Sequence, residues 1–87
     1  MIEVSYHPHF LKNARKIPKA QQIKLATLIE YLRKNPYHPL LHTKHLSSPL
    51  IGLLSFRITR DWRVIFKFID ENTIQLVDIA HRRDIYR

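Results

Sequence analysis

Apolar side chains recur along this chain with two different periods, and the change from one to the other divides it into a helical first half and a stranded second half. Residues 2–6 read as a short strand. Pro8 suits the first turn of a helix, and Phe10, Leu11, Ala14 and Ile17 follow at helical spacing until Ile17-Pro18 breaks it. Across residues 19–34 the apolar positions Leu25, Leu28, Ile29 and Leu32 fall at i, i+3, i+4 and i+7, with Lys24, Glu30 and Arg33 among the polar positions between them. That spacing predicts an amphipathic helix. Asn35-Pro36 ends it, because the residue before a proline is pushed out of the helical region. The two pieces form a helical hairpin. Residues 36–52 hold Pro36, Pro39 and Pro49 together with His38, His42 and His45, so a loop with at most one helical turn is expected. A loop of that length in a compact domain is either functional or mobile.

From Leu53 the period is two. Leu54, Phe56 and Ile58 alternate with Ser55, Arg57 and Thr59, and after Arg60-Asp61 the residues Val64, Phe66 and Phe68 alternate with Arg63, Ile65 and Lys67. Asp70-Glu71-Asn72 reads as a turn, and residues 73–80 as a further strand. The predicted fold is therefore α+β, with an N-terminal strand and a helical hairpin packed on a twisted antiparallel meander. For Ile58 to lie opposite Val64 and Phe56 opposite Phe66, the first hairpin needs a three-residue loop, Arg60-Asp61-Trp62. With the same loop length at Asp70-Glu71-Asn72, odd-numbered positions share the face away from the helices, which brings Arg57, Arg63 and His81 together. The cost of this register is Asp78 on the helix-covered face. A bulge near the strand end would relieve it.

With 87 residues and 45% hydrophobic content the chain suffices for one domain, residues 1–87, with one core. The absence of cysteine leaves stability to packing and excludes thiolate chemistry. Met1 to Tyr6 lacks a basic region followed by an apolar signal core, and no apolar run is long enough for a bilayer, so a cytoplasmic protein without a membrane partner is expected. A single glycine, Gly52, excludes Gly-rich phosphate loops. Fifteen Lys and Arg against seven Asp and Glu give a net charge of +8, which attracts a polyanion such as nucleic acid, an anionic membrane surface or an acidic protein.

The last predicted strand delivers His81-Arg82-Arg83-Asp84-Ile85-Tyr86 where the sheet stops. An imidazole, guanidiniums and a phenol can donate a proton, bind a phosphate and stack on a base, which are the needs of a metal-free ribonuclease. The same residues would also make an ordinary solvated basic tail. The pair His42-x-x-His45 has a metal-like spacing, but no Cys, Asp or Glu lies nearby to complete a ligand set, and neither metal nor cofactor is expected.

The opening strand and helical hairpin, Phe56-Arg57-Ile58, Trp62-Arg63-Val64-Ile65-Phe66 and the closing His81 to Tyr86 run resemble the RelE/ParE toxin superfamily of bacterial toxin–antitoxin systems over nearly the whole chain. The resemblance implies a small RNA-interferase fold that cuts messenger RNA in the ribosomal A site. It also implies a cognate antitoxin, here expected to be acidic, in a hetero-oligomeric complex that binds DNA through the antitoxin. Members resembling YafQ match Lys44-His45-Leu46, Asp61-Trp62 and His81, whereas their central-strand histidine is replaced by Arg57. RelE-like and YoeB-like members share the Arg63 position and a late aromatic, matched by Tyr86.

The roles that follow are His45 as the base removing a 2′-hydroxyl proton, with His42 as competitor, and His81 as the acid protonating the 5′-oxygen. Arg57 and Arg63 would stabilise the added charge of the phosphorane, and Tyr86 would orient it. Lys44, Lys67 and Arg82 would contact the RNA backbone, while Asp61 would form the turn or orient a neighbouring cation. The alternatives are a gyrase-directed toxin of the ParE branch, which is not a nuclease, and an inactive toxin-fold partner of the antitoxin.

Overall fold

In the computed structural model, residues 1–85 are described. The elements are β1 (Glu3–Tyr6), α1 (Pro8–Ala14), α2 (Lys19–Lys34), a 3-10 turn (Pro39–Leu41), β2 (Lys44–His45), β3 (Leu54–Arg57), β4 (Trp62–Asp70), β5 (Thr73–His81) and α3 (Arg82–Ile85). They form a five-stranded sheet in the order β1-β5-β4-β3-β2. The fold class is α+β, as the two periods predict. The sheet is mixed, because β1 pairs with β5 in parallel while β2 to β5 pair antiparallel.

His7 starts α1 by accepting the His9 backbone N–H on Nδ1 (3.1 Å), with Pro8 at the first helical position. The α2 helix spans the predicted residues and buries Leu25, Leu28 and Leu32. These side chains meet Phe56, Ile58, Val64, Phe66, Ile74 and Leu76, all fully buried from the sheet, to make one core. Six such side chains at about 1.5–3 kcal/mol each dominate what holds the helices to the strands.

Residues 36–52, expected as loop with at most a helical turn, contain the 3-10 turn and also a two-residue strand, β2, that pairs Lys44 with Ser55 and His45 with Leu54. The first hairpin has a loop of the expected length, but one residue earlier. Thr59-Arg60-Asp61 forms it, Ile58 N–H donates to the Trp62 carbonyl (2.9 Å), and Thr59 Oγ1 accepts the Trp62 N–H (3.3 Å). Moving the loop by one shifts the pairing by two, so Phe56 faces Val64 and Leu54 faces Phe66 instead of the expected partners. Sidedness survives, since the side-chain period is two. Trp62 thereby joins the strand and packs against the core.

The β4–β5 pairing departs further from the expected register. Phe66 pairs with Leu76 but Ile65 pairs with Asp78, so Val77 is an extra residue at a β-bulge. Beyond it the pairing continues one step out of phase, and His81 lies opposite Trp62 rather than beside Arg57 and Arg63. Asp78 still lies against α1, but its carboxylate is satisfied there. Its carboxylate accepts a 2.6 Å hydrogen bond from Asn13 Nδ2 and another from the Ile79 backbone N–H (2.8 Å), tying β5 to α1.

Candidate functional site

Two cross-strand pairs build the floor of a basic basin. Arg57 lies directly opposite Arg63, and Lys44 lies opposite Ser55, two positions before Arg57 on β3. Because alternate residues share a face, Lys44, Arg57 and Arg63 stand on the side of the sheet away from Leu54 and Phe56, which enter the core. His42 and Arg82 complete the walls of a cavity of about 400 Å³. No Asp or Glu is among the described residues that line it.

Each wall has a local cause. Arg63 is only 8% exposed, and its Nη1 donates to the Thr59 carbonyl at 2.8 Å, so the hairpin turn holds one edge of the guanidinium. Arg57 Nε is buried and has no hydrogen-bond partner among the described residues. Like charges directly opposite each other on a sheet are destabilising, and an unsatisfied buried donor adds to that. Such an arrangement is suited to an anion that arrives between them.

His42 ends the 3-10 turn with φ 49° and ψ 45°, and its N–H donates to the Pro39 carbonyl (3.3 Å). This left-handed conformation is uncommon for a residue with a side chain, and the turn imposes it. Arg82 follows β5, where its backbone N–H donates to the Asp61 carbonyl (2.7 Å) and ties the hairpin tip to the end of the sheet. Asp61 thus acts here through its backbone, with an exposed side chain.

The basin therefore gathers Lys44, Arg57, Arg63 and Arg82 from the residues singled out in the sequence, and it gathers His42 rather than His45 or His81. His45 is opposite Leu54, on the other face of the sheet, with Nε2 3.4 Å from the Tyr37 hydroxyl. His81 packs edge-on against Trp62 with ring centroids 5.3 Å apart, and its Nδ1 accepts the Arg83 backbone N–H (3.2 Å). It lines a separate cavity of about 370 Å³ with Asn13 and Asp84. Lys67 pairs with Gln75 farther along β4, outside the basin. Tyr86 lies outside the described residues.

The sequence left His42 open as the competitor of His45, and the pairing of β2 separates the candidates. Once residues 44 and 45 pair as a strand, they must point to opposite faces, so Lys44 and His45 cannot both join the arginines. Among the described residues no group of three or more His, Cys, Asp or Glu comes together to hold a metal ion. No helix among them is long and apolar enough to cross a membrane.

A family model described as the ParE toxin of the type II toxin–antitoxin system parDE matches residues 4–86. No curated sequence matches significantly. Among solved structures, the YoeB/ParE toxin from Agrobacterium tumefaciens superposes with a TM-score of 0.79 at 14% identity, covering 93% of this chain and 99% of that one. YafQ from Escherichia coli strain BL21(DE3) gives 0.78 at 19% identity with both chains fully covered, at 100%. The archaeal RelE–RelB complex from Pyrococcus horikoshii OT3 gives 0.77 at 21%, covering 93% of this chain and 94% of that one. At these identities the likeness speaks for the fold, and the family match over almost the whole chain speaks for descent. The chain belongs to the ParE toxin family of type II toxin–antitoxin systems, within the wider RelE/ParE superfamily.

Proposed function

We propose that this toxin is a metal-free endoribonuclease that cuts messenger RNA on the ribosome. The observation that carries the reading is the basin itself, in which Lys44, Arg57, Arg63, Arg82 and the His42 imidazole converge, with no Asp or Glu among the described residues that line it. A phosphodiester undergoing attack by its own 2′-hydroxyl gains negative charge, and donors fixed beforehand stabilise that charge without reorganising. Arg57 and Arg63 are the two candidates for this role, and Arg82 for contact with the adjoining backbone.

His42 would take the 2′-hydroxyl proton, as the imidazole among the described residues that line the basin. The Lys44 ammonium would supply a proton to the departing 5′-oxygen, leaving a 2′,3′-cyclic phosphate and a free 5′-hydroxyl. Tyr86 keeps the orienting role that the family resemblance implies. An acidic antitoxin is the partner that the net charge of +8 calls for. Among the similar structures, YoeB from Staphylococcus aureus is in a toxin–antitoxin complex with YefM, and archaeal RelE is in a complex with RelB.

A second reading, a gyrase-directed toxin without nuclease activity, is favoured by one observation. His45 and His81, the imidazoles best matched to acid–base chemistry in the sequence, are separated from the basin and from each other. Mapping transcript ends after induction, alongside gyrase supercoiling with purified toxin, decides between them. New 5′-hydroxyl ends within translated codons and unimpaired supercoiling are expected. Intact transcripts with blocked supercoiling would overturn the nuclease reading.

A further inference from the structure

A second cavity, of about 480 Å³, opens where the end of β3 meets α2 and the 3-10 turn. It shares two of its walls, His42 and Arg57, with the basic basin. The two spaces are thus neighbours on either side of one partition, and Arg57 in that partition carries the buried Nε that has no partner among the described residues.

The lining of this second space differs from that of the basin. Leu40, presented by the 3-10 turn, is 55% exposed although it is a large apolar side chain, and with Leu28 and Tyr31 it makes an apolar wall. Tyr31 packs against His38, ring centroids 4.5 Å apart. Thr27 brings a hydroxyl able to donate and accept, Thr59 one whose oxygen already accepts the Trp62 N–H and whose hydrogen can be donated, while Lys24 and Arg60 bring charge. An apolar wall with an aromatic ring, a few polar groups and flanking cations suit a base whose own phosphates lie to either side.

We propose that this groove seats the base of the nucleotide adjoining the phosphate held in the basin. Leu40 and Tyr31 form its stacking wall, and Thr27 and Thr59 meet its polar edge. The inference rests on the reading of the basin as an RNA phosphate site, and it adds a specificity-determining subsite to it. The Thr27 hydroxyl can rotate between donor and acceptor and so accommodates more than one base edge, which makes the preference of the subsite graded rather than absolute.

The test uses 2′-O-methyl pentanucleotides, which cannot be cut, carrying each of the four bases at the centre, and a matched strand with an abasic centre. Binding to the purified full chain is read by fluorescence anisotropy. One central base should bind on the order of tenfold more tightly than the abasic strand, the scale of a single stacked base. In Leu40→Ala and in Thr27→Trp, which fills the groove from an exposed helix position, that advantage should vanish while abasic binding persists. Equal binding of all strands to the wild-type protein overturns the inference, as does an advantage that survives both substitutions, or failure of every strand to bind. A lost base advantage together with continued transcript cleavage leaves the nuclease reading intact; a base advantage without cleavage leaves the groove intact and removes the nuclease.

Discussion

Arg57 is a place where stability and function should pull in opposite directions, and Arg57→Met measures by how much. Methionine keeps an unbranched apolar stem against the sheet while deleting the guanidinium. Two costs disappear with it. The buried Nε has no hydrogen-bond partner among the described residues, and leaving such a donor unmade costs about 1 kcal/mol at the lower end of the usual range, appropriate because the side chain is only partly buried. Arg63 directly across the β3–β4 pair adds a like-charge repulsion of about 0.5 kcal/mol.

The variant should therefore be more stable by about 1.5 kcal/mol, which for a domain of this size raises the melting temperature by about 6–12 °C. Circular dichroism melts at matched salt read this directly. Inorganic phosphate should raise the melting temperature of the wild type more than that of the variant, because a ligand stabilises the state that binds it. RNA cleavage should fall at the same time. A melting temperature at or below that of the wild type would refute the claim that the opposed arginines are held at a cost for the sake of an anion.

His42→Ala should lose on the order of a hundredfold or more in cleavage rate on purified ribosomes, and His45→Ala less than about threefold, as expected when only one imidazole handles the proton; the reverse order would move the chemistry to the other face of the sheet. With Lys44, Arg57, Arg63 and Arg82 on the phosphates, log affinity for single-stranded RNA should fall with log salt at a slope of about −3, and Arg82→Ala should flatten it by about 0.7. An unchanged slope in titrations of the variant would take Arg82 off the backbone. Asp78→Ala breaks the Asn13 hydrogen bond at the bulge and should cost about 1–2 kcal/mol in urea unfolding, with the slope of the transition unchanged; a wild-type midpoint would show that the bulge holds without its tie to α1.

The local half of this structure was legible in the order of residues, because it depends on neighbours within a few positions. The α2 helix begins and ends where its apolar period does, between Pro18 and Asn35-Pro36, and the alternation of Leu54, Phe56 and Ile58 names the face of β3 that enters the core. The same alternation put Arg57 and Arg63 on one side, and it survived a hairpin loop displaced by one residue, since a two-step slip in pairing leaves the period of two untouched. The positive charge and the absence of Gly-rich loops had already pointed towards a polyanion and away from a nucleotide cofactor.

What lay beyond the sequence was decided by contacts between distant segments. Asp78 marked where a bulge would help, but only the reach of Asn13, 65 positions earlier, explains how the bulge is held there. That one extra residue, Val77, turned His81 from the arginines to Trp62. Likewise the parallel docking of β1 on β5 and the pairing of β2 with β3 have no local period to announce them, because a strand of two to four residues is stabilised by its partner rather than by its own sequence. The pairing of β2 split Lys44 from His45, and the left-handed turn at His42 brought a different histidine to the basin. Residue types were written locally; which of them share one cavity depended on register, and register is a property of two strands at once.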